Sequence, residues 1–289
     1  MKKIKFNGAT FIIGTILCLW GFLIFYPFYN SVLTSFMTQA EYMRSPFALF
    51  VKEPTLVAYE EIFSDSKFFY GYKNVLIIML FKLPISLTIT VAMGYALSRK
   101  RFLFSKFINN ILVFSMYFGG GIIPLYLTMK EYGLMDSRAT IVILGIFSVY
   151  NMIMIKNFFY TIPDALEESA RIDGANDLRI FAQIFVPLAK PIIATVALWT
   201  AVKIWNEWYN SMIFLNDAKK WPLQLVLREI INNATSAAKE DMESEELKET
   251  FALNVQMAAV VVTMLPIMLV YPFLQKYFMS GLTVGAVKG

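Results

Sequence analysis

The sequence has no histidine and a single cysteine, Cys18, which lies inside an apolar run. Without histidine the chain lacks the usual general base, the commonest metal ligand and the commonest proton relay. One cysteine excludes an internal disulfide framework and a cysteine-rich metal site. We therefore predict that the chain is not an enzyme and that it holds no metal ion or cofactor of its own.

Charged residues are also scarce. They make up 16% of the 289 residues, whereas hydrophobic residues make up 57%, and the mean hydropathy is positive. A soluble core of ordinary proportions cannot hide that much apolar surface. The composition therefore predicts an all-α protein in a lipid bilayer, and the modest net charge of +5 does not indicate a nucleic-acid partner.

Six windows are apolar and long enough to cross about 30 Å of hydrocarbon, which takes roughly 20 helical residues. They cover residues 9–32, 74–97, 107–128, 139–160, 191–215 and 252–278, and they leave outer loops at 31–73 and 216–250. Six spans place both termini on one side of the membrane, and basic residues indicate which side. The cluster of Arg99, Lys100, Arg101 and Lys106 predicts that both termini are cytoplasmic.

A polar segment at 163–190, here called the coupling loop, separates the fourth and fifth predicted spans. Its distinctive residues are Glu168, Ser169, Ala170, Asp173, Gly174, Ala175, Ile184 and Pro187. Gly174 permits a turn that a residue with a Cβ resists, and prolines stand at both ends of the segment, where they favour helix boundaries. The pattern predicts a cytoplasmic helix, a turn and a second helix, which a soluble partner grips.

The spacing of Glu168-Ser169-Ala170, Gly174 and Ile184, followed by Val186-Pro187, resembles the EAA loop of binding-protein-dependent ABC importer permeases. Ser169 replaces the usual alanine and Val186 the usual leucine, but both replacements are small or apolar and should keep the shape of the loop. The longer string through Asp173-Gly174-Ala175 and Pro187 is most similar to the carbohydrate-uptake permeases of the maltose/maltodextrin type.

This resemblance implies a single permease domain over residues 1–289, located in the cytoplasmic membrane of a prokaryote, that takes up an oligosaccharide. The implied partners are a second, non-identical permease, an ABC ATPase dimer and an extracytoplasmic sugar-binding protein. The chain has no Gly-x-x-x-x-Gly-Lys-Ser/Thr loop, so ATP and Mg would be bound by the ATPase. The coupling loop would contact that ATPase, with Glu168 paired to one of its basic residues.

Three charged residues fall inside the predicted spans: Lys82, Lys203 and Glu207. A charge in hydrocarbon costs roughly 3 kcal/mol unless it faces protein or water. Lys203 and Glu207 are four residues apart, so we expect them to share a helix face, either as an internal ion pair or along a translocation path. The candidate path residues are Tyr117, Asn151, Trp205, Asn206, Glu207, Trp208 and Asn210, and the phrase from Trp205 to Trp208 resembles the maltose-type permeases.

Two further features remain open in the sequence. Three glycines, Gly119, Gly120 and Gly121, weaken the third predicted span, and close helix packing is favoured there over a bending gate. The last residues read alone as a frayed end, but they resemble the tail of the second maltose-type permease, which reaches into the ATPase pair. On that resemblance the residues in contact with the ATPase are Thr283, Gly285, Lys288 and Gly289.

Two other classes of transporter are alternatives. A permease for an amino acid or a peptide would share the coupling loop, and only the Trp205 phrase and the tail favour a sugar. A secondary transporter would be expected to show inverted repeats and acidic residues at mid-membrane. The sequence has no evident repeat and only Glu207 at such a position.

Overall fold

The computed structural model describes residues 8–99, 101–243 and 252–286. This part of the chain is helical with no strand, which confirms the all-α prediction. The helices are α1 (Gly8–Thr34), α2 (Gln39–Arg44), α3 (Val57–Ser64), α4 (Ser66–Ser98), α5 (Ser105–Tyr117), α6 (Ile122–Glu131), α7 (Arg138–Ile143), α8 (Val149–Phe159), α9 (Asp164–Ile172), α10 (Asp177–Ile180), α11 (Val186–Leu188), α12 (Lys190–Trp205), α13 (Tyr209–Phe214), α14 (Leu223–Glu243) and α15 (Ala252–Ala286). A π-helix spans Phe181–Phe185 and a 3₁₀ turn spans Ala218–Lys220.

Three helices are long and apolar enough to cross a bilayer: α1 over Phe11–Thr34, α4 over its whole length, and α15 over Ala252–Val270. Two bent pairs pass the same test, Ser105–Tyr117 with Ile122–Glu131 at 109° and Asp177–Leu188 with Lys190–Trp205 at 79°. The described residues thus contain three candidate spans, or five if each bent pair is one span.

The fourth predicted span, 139–160, is divided into two short helices. α7 ends at Ile143, Gly145 takes a left-handed φ of 64°, and Ser148 caps α8 by accepting a hydrogen bond from the amide of Asn151. Neither helix alone is long enough to cross hydrocarbon. The six-span count and the cytoplasmic position of both termini therefore stay predictions.

The glycines of the third predicted span stand at a break in the helix. α5 ends at Tyr117, and α6 begins at Ile122 after Gly121 with a φ of 82°. No described atom lies within 4 Å of the position that a Cβ would take at Gly119 or Gly121. The expectation of close helix packing was therefore wrong within this chain, because the glycines supply a bend rather than a contact surface.

The contacts divide the chain into two units, Met1–Phe68 with Leu227–Pro266 and Phe69–Val226 with Ile267–Gly289. In the first unit the predicted outer loop is folded around α2 and α3. Its hydroxyl groups on Ser35 and Tyr59 are 2.6 Å apart, and the side chain of Asn254 donates to the carbonyl of Met37 at 3.2 Å.

The second unit buries an aromatic cluster directly beside the coupling loop. Tyr95 of α4 and Phe159 of α8 meet Phe185 of the π-helix, with ring centroids 5.1 Å apart for Tyr95 and Phe185 and 5.6 Å apart for Phe159 and Phe185. Phe159 and Phe185 are fully buried. Such rings bury large apolar areas in preferred tilted arrangements, so the cluster joins the loop to α4 and α8.

Asp136 fastens another connection in the second unit. Its carboxylate accepts hydrogen bonds from the amides of Asn216 and Asp217, both at 3.0 Å, and from the ammonium of Lys220 at 2.5 Å. The Lys220 hydrogen bond, followed by these amides, lowers the pKa of Asp136 below its ordinary value. The carboxylate therefore holds the segment after α13 against the segment before α7.

Candidate functional site

The coupling loop has the predicted helix, turn and helix. α9 ends at Ile172, and α10 begins at Asp177 after a turn in which Gly174 has a φ of 79°. The amide of Ala175 donates to the carbonyl of Ala170 at 2.9 Å, so the left-handed glycine closes the end of α9. No described atom lies within 4 Å of a Cβ position at Gly174, and its role is therefore conformational.

The second half of the loop begins with a capped helix and then changes its winding. The side chain of Asn176 accepts a hydrogen bond from the amide of Arg179 at 2.9 Å and caps α10. The chain then passes through the π-helix, a form that occurs mostly as short bulges and often at functional sites. Pro187 lies in α11, just before α12 begins at Lys190.

The predicted contact residues divide into two sets. Glu168, Ser169, Asp173, Gly174 and Pro187 are exposed, whereas Ala170, Ala175 and Ile184 pack against the buried aromatic cluster. The second set therefore holds the loop to its own chain. Sequence reasoning missed Ile172 and Leu178, which are 87% and 73% exposed. Two apolar residues in a polar segment were the available signal.

Glu167 is the centre of an ion-pair network that the sequence reasoning also missed. Its carboxylate accepts from Arg99 at 2.7 Å and from Arg171 at 2.7 Å, and Arg171 also pairs with Asp177. Partial burial raises the pKa of Glu167, but the hydrogen bonds from Arg171 and Arg99 outweigh it and lower that pKa below its ordinary value. The network joins the end of α4, α9 and the start of α10.

Arg99 also rests on the aromatic cluster. Its guanidinium carbon lies 4.3 Å from the ring centroid of Phe185 and 5.3 Å from that of Tyr95. A cation over an aromatic face at such distances contributes about 0.5 to 2 kcal/mol. Beside it is an open cavity of about 420 Å³ lined by eight residues that include Arg99, Glu167 and Glu168. An exposed carboxylate, Glu168, is thus available at the cavity to a cationic partner.

A second polar region surrounds the break between α7 and α8. Lys82 lies midway along α4 and is 6% exposed. Its ammonium donates to the carbonyls of Ile141 at 2.8 Å and Leu144 at 2.6 Å. The last carbonyls of a helix have no intrahelical partner, so Lys82 satisfies two groups that the break would leave unpaired in an apolar interior.

The expectation that Lys203 and Glu207 share a helix face was wrong. α12 ends at Trp205, and Glu207 lies in the link before α13, so the two residues do not share a helix face. Glu207 instead accepts hydrogen bonds at 2.9 Å from both the amide and the side chain of Asn210. Lys203 forms no ion pair within the described residues.

The other path candidates are dispersed. The side chain of Asn151 donates to Thr200 at 3.4 Å, and Tyr117 is 78% exposed at the end of α5. Trp205 is 7% exposed and lies against Tyr72, with ring centroids 6.1 Å apart. Asn206 donates to the carbonyl of Val202, and Trp208 packs edge-on against Tyr209. Within this set, Glu207 and Asn210 are hydrogen-bonded to each other.

The four predicted tail residues lie at the C-terminal end of the chain, partly beyond the described residues. α15 continues as a helix to Ala286 and so includes Thr283 and Gly285 in its backbone. Lys288 and Gly289 lie outside the described residues. The ATPase contact of all four residues stays a prediction.

Comparison with known proteins gives one family. Residues 9–284 match the family described as "Binding-protein-dependent transport system inner membrane component". Protein LplC of Bacillus subtilis (strain 168) is 38% identical over 286 residues, which are 98% of this chain and 96% of that protein. The polygalacturonan/rhamnogalacturonan transport system permease protein YtcP of the same organism is 36% identical over 280 residues, covering 94% of this chain and 97% of its own length.

A solved structure has the same fold. The crystal structure of a bacterial ABC transporter involved in the import of the acidic polysaccharide alginate matches with a TM-score of 0.84 and 30% sequence identity. The match covers 96% of this chain and all of that chain. The likeness therefore extends over the membrane helices as well as the coupling loop.

Proposed function

Because the chain belongs to the family of binding-protein-dependent transport system inner membrane components, we propose that it is a permease subunit of an ATP-driven importer of oligosaccharides. The coupling loop is the observation that carries this proposal. It presents exposed apolar and acidic residues on a helix, turn and helix that the chain itself fixes from behind. Relatives named for sugar transport, including the maltodextrin permeases MdxG and MalD, support a carbohydrate over an amino acid or peptide.

The proposed partners supply the functions for which this chain has no residues of its own. The chain carries no nucleotide-binding P-loop, so an ABC ATPase dimer would bind ATP and Mg and contact the coupling loop. A second permease would complete the path, and an extracytoplasmic binding protein would deliver the sugar. The most apolar 18-residue window of α1 has no residue buried within the chain, which fits contact with lipid or a second permease.

The loop would transmit motion as one body. Ile172 and Leu178 offer apolar contact area to the ATPase, and Glu168 offers a carboxylate beside the open cavity. Behind them, Arg99 binds Glu167 and stacks on Phe185. Closure of the ATPase pair would thus move the loop together with the ends of α4 and α8 rather than bending the loop alone.

The position in the membrane belongs to the same proposal. Six crossings with both termini in the cytoplasm would place the coupling loop on the ATPase side of a prokaryotic cytoplasmic membrane. The breaks at Gly121 and Gly145 would then lie inside the third and fourth crossings. Broken helices are tolerated at membrane depth where they are buried in protein or line a water-filled cavity.

The first prediction tests the coupling loop. Glu168→Lys should leave the protein in the membrane but reduce sugar uptake at least tenfold, because a reversed charge repels the cation expected on the ATPase. Uptake in proteoliposomes that contain the complete importer, at equal subunit abundance, measures the effect. Glu131→Lys is the matched control, since Glu131 is also exposed at a helix end. Normal uptake by Glu168→Lys would contradict the docking role.

A further inference from the structure

Lys203 is a cation without an acidic partner in the described part of the chain. Glu207 is held by Asn210, and Lys82 donates to two backbone carbonyls. The Lys203 side chain is exposed, and its ammonium lies 4.0 Å from the Cβ position of Gly145, the left-handed residue of the helix break. The ammonium therefore lies beside the backbone of Gly145. None of its three hydrogen-bond donors is bound by a described group.

The position of Lys203 near the middle of the predicted fifth span, 191–215, argues against a lipid-facing role. It lies thirteen residues into α12, which corresponds to about 20 Å along the helix axis. An unpaired lysine at such depth is expensive in hydrocarbon and marks a water-filled path or a protein interface. Lys82 interacts electrostatically with both Glu207 and Lys203, and two lysines against one glutamate leave this group net positive.

An aromatic pair lies on the same face of α12. Trp199 precedes Lys203 by four residues, a spacing that places both on one side of a helix. Its indole lies 6.3 Å from the ring of Tyr150, centroid to centroid, and the two residues are 37% and 54% exposed. Trp199 lies only about 14 Å from the start of α12, which is near mid-membrane rather than in an interfacial aromatic belt.

We propose that Trp199, Lys203 and Tyr150 form a binding site for an acidic sugar residue, a ring that carries a carboxylate. The inference rests on the proposed function and names the class of its substrate. The Lys203 ammonium donates charge-assisted hydrogen bonds to the carboxylate. The rings of Trp199 and Tyr150 pack against the apolar C–H face of the sugar ring. They suit this contact because each is a large, flat apolar surface with a negative π-face.

Alternative occupants of this face make different demands. An acidic residue of the second permease would also pair with Lys203, but it would leave the exposed Tyr150 and Trp199 rings without a function in recognition. A neutral sugar would use the rings and could accept hydrogen bonds from the ammonium through its hydroxyl groups, but it would supply no counter-charge. The acidic sugar is the ligand that uses the rings and also supplies the counter-charge, and Gly145 beside the ammonium is exposed and has no side chain of its own.

The test uses the complete importer in proteoliposomes with two probes, trigalacturonate and its fully methyl-esterified form. Lys203→Gln should reduce uptake of the acid about tenfold, as expected for loss of a charged hydrogen bond, and change uptake of the ester less than twofold. Lys203→Arg should restore most of the uptake of the acid. Trp199→Ala should reduce uptake of both probes alike, and Lys130→Gln is the control, since Lys130 is exposed and unpaired among the described residues.

Two results would overturn the inference. Equal loss of both probes in Lys203→Gln, with normal assembly, would assign Lys203 to an interface with the second permease. Transport of neutral oligosaccharides but neither probe by the unaltered importer would exclude an acidic substrate while leaving the proposed function intact. Failure of every oligosaccharide to stimulate ATP hydrolysis would instead overturn the proposed function itself.

Discussion

Arg99 connects the second predicted span to the coupling loop through one side chain. Its guanidinium binds Glu167, donates to the carbonyl of Phe159 at 3.4 Å, and lies over the ring of Phe185. All three contact residues lie at least 60 residues from Arg99 in the sequence. Arg99 is therefore a positioning residue: it contacts no substrate, but it fixes the surface that the ATPase would grip.

The Arg99→Gln variant should separate ATP hydrolysis from transport. Loss of the pair with Glu167 costs roughly 1 to 2 kcal/mol, since Arg171 still binds the carboxylate, so the importer should assemble. Uptake per ATP hydrolysed should fall at least threefold, and Arg99→Lys should recover part of it. The measurement is sugar uptake and ATP release in the same proteoliposomes.

Arg101→Gln is the matched control, because Arg101 lines the same cavity but forms no ion pair among the described residues. An equal fall in uptake per ATP for both variants would show that cavity charge matters rather than the Arg99 contact.

Acidification offers a second readout. The pKa of Glu167 lies below its ordinary value, so its ion pairs stabilise the loop fully at any pH above the ordinary pKa of a glutamate. This stabilisation is lost as the pH falls through the lowered pKa, because the carboxylate then becomes protonated.

Sequence reasoning identified the loop but not its internal support. The spacing of Glu168, Gly174 and Ile184 is local, so it can be detected along the chain. The Arg99–Glu167 pair joins residues that are far apart in sequence, and no periodicity reports such a contact. The basic cluster that contains Arg99 had a sufficient explanation in membrane orientation, which concealed its second role.

At the scale of elements, glycines determine where the helices of this chain are interrupted. Gly174, Gly121 and Gly145 all adopt positive φ, and each stands in a break between two helices. Hydropathy windows detect apolar stretches, because lipid solvation depends on composition. They could not locate the breaks at Gly121 and Gly145, because a left-handed residue changes direction without changing hydropathy, and the orphan carbonyls at one break are satisfied by the distant Lys82.

Substitutions at Gly174 should follow backbone conformation rather than size. Gly174→Val should disrupt the turn and reduce uptake strongly, since a left-handed conformation costs a residue with a Cβ about 1 to 2 kcal/mol and is worst for β-branched residues. Gly174→Asn should be milder, because asparagine tolerates this region. Co-purification with the ATPase and uptake measure the two effects.

Gly119→Ala serves as the comparison, since Gly119 does not have positive φ and no described atom lies within 4 Å of its Cβ position. If Gly174→Asn were as damaging as Gly174→Val, the side chain rather than the backbone would be the cause. The glycine would then be required for close approach by the ATPase.

At the scale of the molecule, the chain exposes apolar surfaces that lipid or other subunits would cover. α1 exposes apolar side chains such as Trp20, Leu23 and Phe25 at about 60% each, and the coupling loop exposes Ile172 and Leu178. Lipid can cover the first set, but the loop lies outside the predicted spans and would expose the second set to water. Exposed apolar residues next to charged ones are typical of protein interfaces, and they support the proposed contact of the loop with an ATPase.

Assembly with the ATPase should therefore protect two separate segments of this chain. We expect slower hydrogen exchange in the coupling loop and in residues 281–289 when the ATPase is present, because both would become enclosed by it. The tail is the sharper test, since a frayed end would exchange equally fast in both states. Deletion of residues 283–289 should reduce sugar-stimulated ATP hydrolysis, whereas deletion of residues 2–5 should not, because no role in ATPase contact is assigned to that end. Unchanged assembly and unchanged stimulated hydrolysis after the tail deletion would leave the coupling loop as the sole ATPase contact of this subunit.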